Sequence, residues 1–422
     1  MKKFLPLIFF LIMITIAINR NKEEKIKIEP YKIEIKNEKQ KKCKLEILPE
    51  IDLKIYRTSK YEHLISNIFD ENRKHNKESV YSDTELLFKL LSTHYVGYCN
   101  NGGKNTFNKI KENIFNKLEK EIFPITQKKY DEILINEFSK YIKDGHFNIN
   151  NKNLKHIEKF TYLSKDYIKK DDILEVNADI VPTIDLSGKI QYILKTENSK
   201  YLNYYEINAK HKDNTEEKIS LYPLLNHNIS IFDYTDNENI VYIAIPRFYD
   251  NKKIIYEKVK NTNFKNKDVI IDLRGNHGGY LDNIESLLRE IFDFKFDMDL
   301  DNQDLFLNFN DIKASNRFNT KIYILVNKES ASASELTVLF TKLFDFKNTY
   351  IIGDYTSGAF QYSSGDKFYL PNTKTSFIFS NYTSLPILEN INEYEGFKPD
   401  IWLDTHDKDF LIKVRNFVKN NR

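Results

Sequence analysis

Lys321–Phe340 reads KIYILVNKESASASELTVLF. Ile322, Tyr323, Ile324, Leu325 and Val326 are consecutive strand formers, and a short polar turn follows them. Out of the turn comes Ser330-Ala331-Ser332-Ala333-Ser334-Glu335, then Leu336, Leu339, Phe340 and Leu343 at helical spacing. This is a strand–turn–helix joint with serines at the helix start. Such a joint lifts a hydroxyl to the edge of a sheet. It also points the unpaired N–H groups of the first helical turn at whatever that hydroxyl attacks. Serines are good helix N-caps as well, and on this stretch alone capping is the plainer reading.

The flanking chain supplies more joints of the same kind. Ile240–Ile245 and Val269–Leu273 are apolar runs bounded by turns, as expected of strands buried on both faces. Behind the second stands Arg274-Gly275-Asn276-His277-Gly278-Gly279, and behind that an apolar helical face (Leu281, Ile284, Leu287, Leu288, Ile291). Tyr350–Gly353 runs into Asp354-Tyr355-Thr356-Ser357-Gly358, and Phe368–Leu370 with Phe377–Phe379 reads as a hairpin. Strands alternating with helices predict a mostly parallel sheet with its ligand site at the strand C-termini. Three turns, 275–279, 330–334 and 353–358, would meet there. The first is rich in exposed N–H groups and could donate to an oxyanion. It matches neither GxGxxG nor GxxxxGK[ST], which argues against nucleotide binding.

A serine nucleophile needs a base. Most of the nine histidines lie in lysine-rich, polar surroundings. Two stand out: His146, just after the helix stop Asp144-Gly145, and His277, inside the glycine turn. From the residues alone either is a candidate.

In this order and spacing the segments resemble the S41 serine peptidases, the family of tail-specific (C-terminal processing) proteases and the tricorn core protease. VIIDLRGNHGG (269–279) is similar to the family's strand and DLRGN-x-GG turn. Ser332-Ala333-Ser334-Glu335 resembles the S-A-[SA]-E motif, Gly353–Gly358 the G-x-x-T-x-G turn, and Glu395–Asp400 the closing G-x-x-P-D. YIAIPRF (242–248) is like the strand that opens the family core, and Asp144-Gly145-His146 is like the D-x-H of the tricorn-like and retinoid-binding-protein-like branch. The resemblance covers residues 80–405. It implies a ClpP/crotonase-like α/β core and Ser332 as nucleophile, with Ser330 and Ser334 left to capping. It implies an oxyanion hole from the Ala333 N–H and one from Gly278 or Gly279. The tail-specific branch places its lysine base where this chain has Ala359, and no lysine lies between Lys347 and Lys367. The tricorn-like branch uses a histidine and a glutamate, which implies His146 and Glu393, with Glu395 as the competitor. A serine that can help orient the histidine in that branch is Gly145 here, so Asp144 or Glu393 would hold the ring directly. No cofactor and no metal are expected.

Around this core the sequence predicts an α+β multi-domain chain. Residues 1–20 have Lys2 and Lys3 before the uncharged run Phe4–Ile18, which reads as a secretory signal or, if uncleaved, a membrane anchor. The body is then expected outside the cytoplasm, periplasmic, extracellular or anchored on the outer side. Residues 21–78 read as an extended spacer. Residues 79–150 read as a helical domain, opened by a capping box at Ser82–Glu85 and carrying apolar faces through Ile122 and, past Pro124, through Ile142. Residues 151–230 read as a small β-rich domain, and 231–422 as the catalytic core. Lys plus Arg is 64 against 61 Asp plus Glu, interleaved, which gives no electrostatic footprint for nucleic acid. Cys43 and Cys99 form no CxxC, and could pair in an oxidising compartment.

The expected function is a serine endopeptidase acting on peptides or unfolded proteins in the cell envelope. The alternative from another class is an inactive relative that binds a peptide or hydrophobic ligand in the same cleft. The presence together of Ser332, His146 and Glu393 favours the enzyme, because a binding module has no need of all three.

Overall fold

In the core, five parallel strands and one antiparallel edge strand follow one another in chain order: β1 (Asp233–Asp236), β2 (Ile240–Ala244), β3 (Asp268–Asp272), β4 (Ile322–Val326), β5 (Thr349–Gly353) and β6 (Ile401–Trp402). The computed structural model describes residues 28–34, 70–154, 160–164, 180–196, 202–210, 214–249, 257–295, 313–363, 365–380, 388, 391 and 393–422. Every residue of β2, β3 and β4 is buried, which is why they read as unbroken apolar runs. The period of two divides them between two cores. Val241, Ile243, Val269, Ile271, Ile322, Ile324 and Val326 join α4 (Leu281–Ile291) and α5 (Ala333–Asp345) on one face. Tyr242, Ile270, Tyr323 and Leu325 meet Phe410, Val414 and Phe417 of α6 (Phe410–Asn420) on the other.

Upstream lie α1 (Lys77–His94), α2 (Gly103–Leu118) and α3 (Gln127–Phe138). The spacer and capping-box expectations need correction. The helical layer starts at Lys74–His75, a short strand paired with Ile125–Thr126, and α1 is capped by Asn76, whose Oδ1 accepts from Ser79 N. Asp83 is therefore mid-helix and buried. Its carboxylate accepts from Asn372 N and Nδ2 and from Thr373 N and Oγ1, at 2.6–3.3 Å. A tertiary partner, not a helix start, uses that acid. The apolar face ends at Leu118, and Ile122 is exposed. Residues 28–34 are also no free spacer: Ile33 is buried in the core, and Tyr31 N donates to Asp400 Oδ1. The segment 1–27, which carries the signal expectation, and Cys43 lie outside the described residues. Cys99 is disulfide-bonded. Among the described residues no helix is long and apolar enough to cross a membrane.

Two further sheets complete the chain. Strands Phe160–Ser164, Ile180–Ile184, Ile190–Thr196, Tyr205–Lys210 and Glu216–Pro223 form an antiparallel five-stranded sheet around Tyr162, Tyr192, Ile219 and Leu221. The expected hairpin forms as Lys367–Tyr369 and Ser376–Ile378, and its second strand pairs with Asn148–Ile149. Phe368, Leu370, Phe377 and Phe379 pack with Phe138 and Phe147 in one cluster. This hairpin helps to join the helical layer to the core, and it holds the chain two residues beyond His146. Asp83 grips its turn. Asp83→Ala removes acceptors from buried N–H and hydroxyl donors, at about 2 kcal/mol. It is expected to lower the melting midpoint and slow any reaction that needs His146 in place by about tenfold, measured by thermal unfolding and by serine-probe labelling.

Candidate active site

The turns at the C-terminal ends of β3, β4 and β5 converge and are laced to one another. Ala331 N donates to Asn276 O at 2.9 Å, Ser357 N to Ser330 O at 2.9 Å and Gly275 N to Asn327 Oδ1 at 2.9 Å. The serines divide their roles. Ser330 Oγ donates to Leu273 O and Ser334 Oγ to Asn276 O, each at 2.8 Å, and both side chains are buried. They hold the turn. Ser332 sits half-buried at the head of α5 with φ 54° and ψ −116°, a backbone conformation that costs a non-glycine residue about 1–3 kcal/mol. The turn that imposes it faces the Ser332 hydroxyl to His146, whose Nε2 lies 3.2 Å from Oγ.

His146 arrives from the helical layer, 186 residues away in sequence. Burial pulls the pKa of its ring down to about 4, so the imidazole is neutral near pH 7 and has a lone pair to offer. Asp144 Oδ1 accepts from His146 N at 2.8 Å, which fixes the backbone turn. Asp144 is fully buried, and burial raises its carboxyl to about 7. Glu393 is buried too. Its Oε1 accepts from Gly145 N at 2.9 Å and its Oε2 from Gln361 N at 2.9 Å and Phe360 N at 3.2 Å. Burial, reinforced by the neighbouring Asp144 carboxyl, raises the Glu393 pKa well above its ordinary value. The expectation that Asp144 or Glu393 holds the ring directly is corrected: His146 Nδ1 and Asp144 Oδ2 are buried without a hydrogen-bond partner among the described residues. The three side chains nonetheless each present a donor atom within 4.8 Å of the others. The backbone N–H groups have drawn the carboxylates away from the ring. Glu395, half-buried, instead lines a cavity with Tyr31, Tyr355 and Lys398.

The absence of a side chain at Gly145 has a steric cause. A Cβ there would stand 2.6 Å from Ala359 Cβ and 3.3 Å from Glu393 Oε1. The two places where the sequence departs from the family pattern, Gly145 and Ala359, therefore touch each other.

The oxyanion expectation is corrected in one member. Gly278 N donates to Asn276 Oδ1 at 2.8 Å, so its N–H is engaged. Ala333 N, the first amide of α5, and Gly279 N have no acceptor among the described residues. Gly278 matters for another reason. With φ 103°, a Cβ on it would lie 2.7 Å from Ser332 Cβ and 3.0 Å from Ala333 N, covering the amide. His277 is exposed and points away, 3.6 Å from Glu329 Oε2.

One residue that sequence reasoning treated only as a motif letter is a hub. Glu335 accepts from Thr356 Oγ1 (2.6 Å), Gly358 N (2.7 Å), Ala359 N (2.8 Å) and Ser332 N (3.1 Å). It is fully buried and welds the serine turn to the turn after β5. Its position three residues past Ser332, where a carboxylate reaches back to the helix start, was the available signal. Asp400 is likewise structural. Its Oδ2 takes Lys342 Nζ at 2.8 Å and Ile351 N at 2.7 Å inside the core.

A strained serine at a helix start, a neutral histidine on its hydroxyl and open amide donors beside it are the arrangement that a serine hydrolase requires, here on an α/β core. Residues 239–402 match the sequence profile of Peptidase family S41, and this core is similar to the serine peptidases of that family. No curated protein matches it. Solved structures similar to it include mature CPAF (10% identity, TM-score 0.45, covering 82% of this chain and 98% of that one). They also include the tricorn protease (12%, 0.42, 82% and 36%) and the photosystem II D1 C-terminal processing protease (16%, 0.37, 78% and 94%).

Proposed function

We propose that the chain is an endopeptidase of the cell envelope that cleaves peptides or unfolded proteins through Ser332, with His146 as base. The observation that carries this reading is the 3.2 Å contact between Ser332 Oγ and His146 Nε2. His146 takes the hydroxyl proton as Oγ attacks a peptide carbonyl. The oxyanion is received by the Ala333 N–H with that of Gly279, and His146 returns the proton to the leaving amine before water releases the acyl group. Asp144 and Glu393 act on the ring at one remove, by keeping it dry and placing its backbone. The envelope location rests on the charged and apolar pattern of residues 2–18.

The inactive ligand-binding alternative is separated from this reading by one experiment. The full chain is treated with a fluorophosphonate probe, digested, and the adduct mapped by mass spectrometry. The adduct is expected on Ser332. Absence of any adduct favours the binding module, and an adduct on Ser330 or Ser334 overturns the assignment.

A further inference from the structure

We propose that Asp144, His146 and Glu393 form an inhibitory binding site for a zinc-type divalent cation behind the His146 ring. Three observations carry it. Each side chain presents a ligand atom within 4.8 Å of the other two. Among the described residues His146 Nδ1 and Asp144 Oδ2 are buried with no hydrogen-bond partner within 3.5 Å, the Tyr95 hydroxyl standing beside the Asp144 carboxyl, and Asp144 has no exposure at all. Neither carboxyl has a lysine or arginine ion partner among the described residues, although both are buried. Two acids and an unpaired ring nitrogen in one dry place are an arrangement that a cation completes.

The supports are already in place. Glu393 is pinned by three backbone N–H groups and Asp144 by one, so the carboxyls lose little freedom on binding. One imidazole nitrogen and two carboxylate oxygens suit zinc with a fourth position open, whereas magnesium and calcium favour all-oxygen sites. Ligand atoms around tetrahedral zinc stand about 3.3 Å apart, so the cluster closes by about 1.5 Å at most on binding.

The consequence follows from one proton. A neutral imidazole has a single N–H. Bound to the cation through Nδ1, it keeps that proton on Nε2. Nε2 then donates toward Ser332 Oγ and has no lone pair with which to accept the hydroxyl proton. The serine stays unactivated, and removal of the cation restores the base. This inhibitory step rests on the mechanism proposed above, whereas cation binding does not.

The test separates the two. Full-length Ser332→Ala protein, which keeps the three ligands, is titrated with cobalt(II) and with zinc. Visible d–d absorption from cobalt and a rise in melting midpoint of about 4 °C or more with micromolar zinc are expected, neither being reproduced by magnesium or calcium. Asp144→Asn with Glu393→Gln, added to Ser332→Ala, is expected to remove both signals. The cobalt spectrum needs no ligand variant, so the site is tested even if the triple variant fails to fold. In wild type, zinc is expected to slow fluorophosphonate labelling at least tenfold, with recovery in EDTA. The site is overturned by silence with cobalt and zinc, by an equal response to magnesium, or by a signal that survives in a folded triple variant. Zinc binding that leaves labelling unchanged overturns the inhibitory role. Wild type that never labels, even in EDTA, is a failure of the proposed mechanism, and the cobalt titration still decides whether the cation binds.

Discussion

Ser332→Ala and His146→Ala are each expected to lower kcat/KM on a peptide substrate by about 10⁴-fold, and the double variant by no more than either alone. The reason is that in the proposed mechanism the two side chains act as one unit. A serine without a base is a weak nucleophile at neutral pH, and a base without the serine has no proton to take. Each loss corresponds to about 5.4 kcal/mol of transition-state stabilisation. What survives is binding and the open amides of Ala333 and Gly279, which neither substitution touches. Steady-state kinetics on the two single variants and the double variant make the check. Effects that multiply in the double variant would mean that Ser332 and His146 work separately. A His146→Ala enzyme within tenfold of wild type would place the base elsewhere, with His277 the remaining candidate in the turns and its exposed position, turned toward Glu329, already against it.

Glu335→Ala is the second large effect, and it falls on stability as well as rate. The carboxyl receives four donors, Thr356 Oγ1 and the amides of Gly358, Ala359 and Ser332, in a place without solvent. Removing the acceptor leaves those donors unpaired, at about 3–4 kcal/mol in all. A fall of about 8 °C in melting midpoint is expected, together with loss of probe labelling as the strained Ser332 turn relaxes. Glu335→Gln keeps the volume but turns an NH₂ group on N–H donors, and is expected to fall between the two. The effect carries a pH signature. Burial raises the Glu335 carboxyl from an ordinary 4.5 to about 7 despite its donors. Between those values the folded chain holds a proton that the unfolded chain has released, so this group's contribution to stability falls as pH rises from 4.5 to 7. Asp144 and Glu393 titrate in the same direction but are present in both proteins and cancel in the comparison. The stability gap between wild type and Glu335→Ala is therefore expected to be wider at pH 5 than at pH 8. A gap that is flat or widens with pH would show that Glu335 is ionised throughout.

Much of this was legible in the chain because it is local. Apolar runs such as Val269–Leu273 and Ile322–Val326 have nowhere to go but a doubly covered sheet, and the residues after them can only be turns at its C-terminal edge. Ser330–Glu335 announces a helix start. Ala359 stands where the resemblance to the tail-specific branch would imply a lysine base, which sets that branch's dyad aside. Where local reading failed, a distant partner had taken the residue. Asp83 looked like part of a helix cap and is instead the acceptor for a hairpin turn 290 residues on. Gly278 looked like an oxyanion donor, and its amide is held by Asn276 two residues earlier. Tyr31 and Ile33 looked like spacer and are seated on the core.

The sequence by itself determined the core, the turn that carries Ser332 and the small set of histidines from which a base could come. These follow from periodicity, glycine placement and residue chemistry over stretches of about ten residues. Only the tertiary structure decided that His146 meets Ser332, because that contact closes a loop of 186 residues through pairing of Asn148–Ile149 with the Ser376–Ile378 strand. It alone decided, too, that Asp144 and Glu393 gather at the back of the ring without bonding to it. Backbone amides from two separate segments, 145–146 and 360–361, compete for those carboxyls, and the winner of such a competition is set by packing that no single stretch of sequence contains.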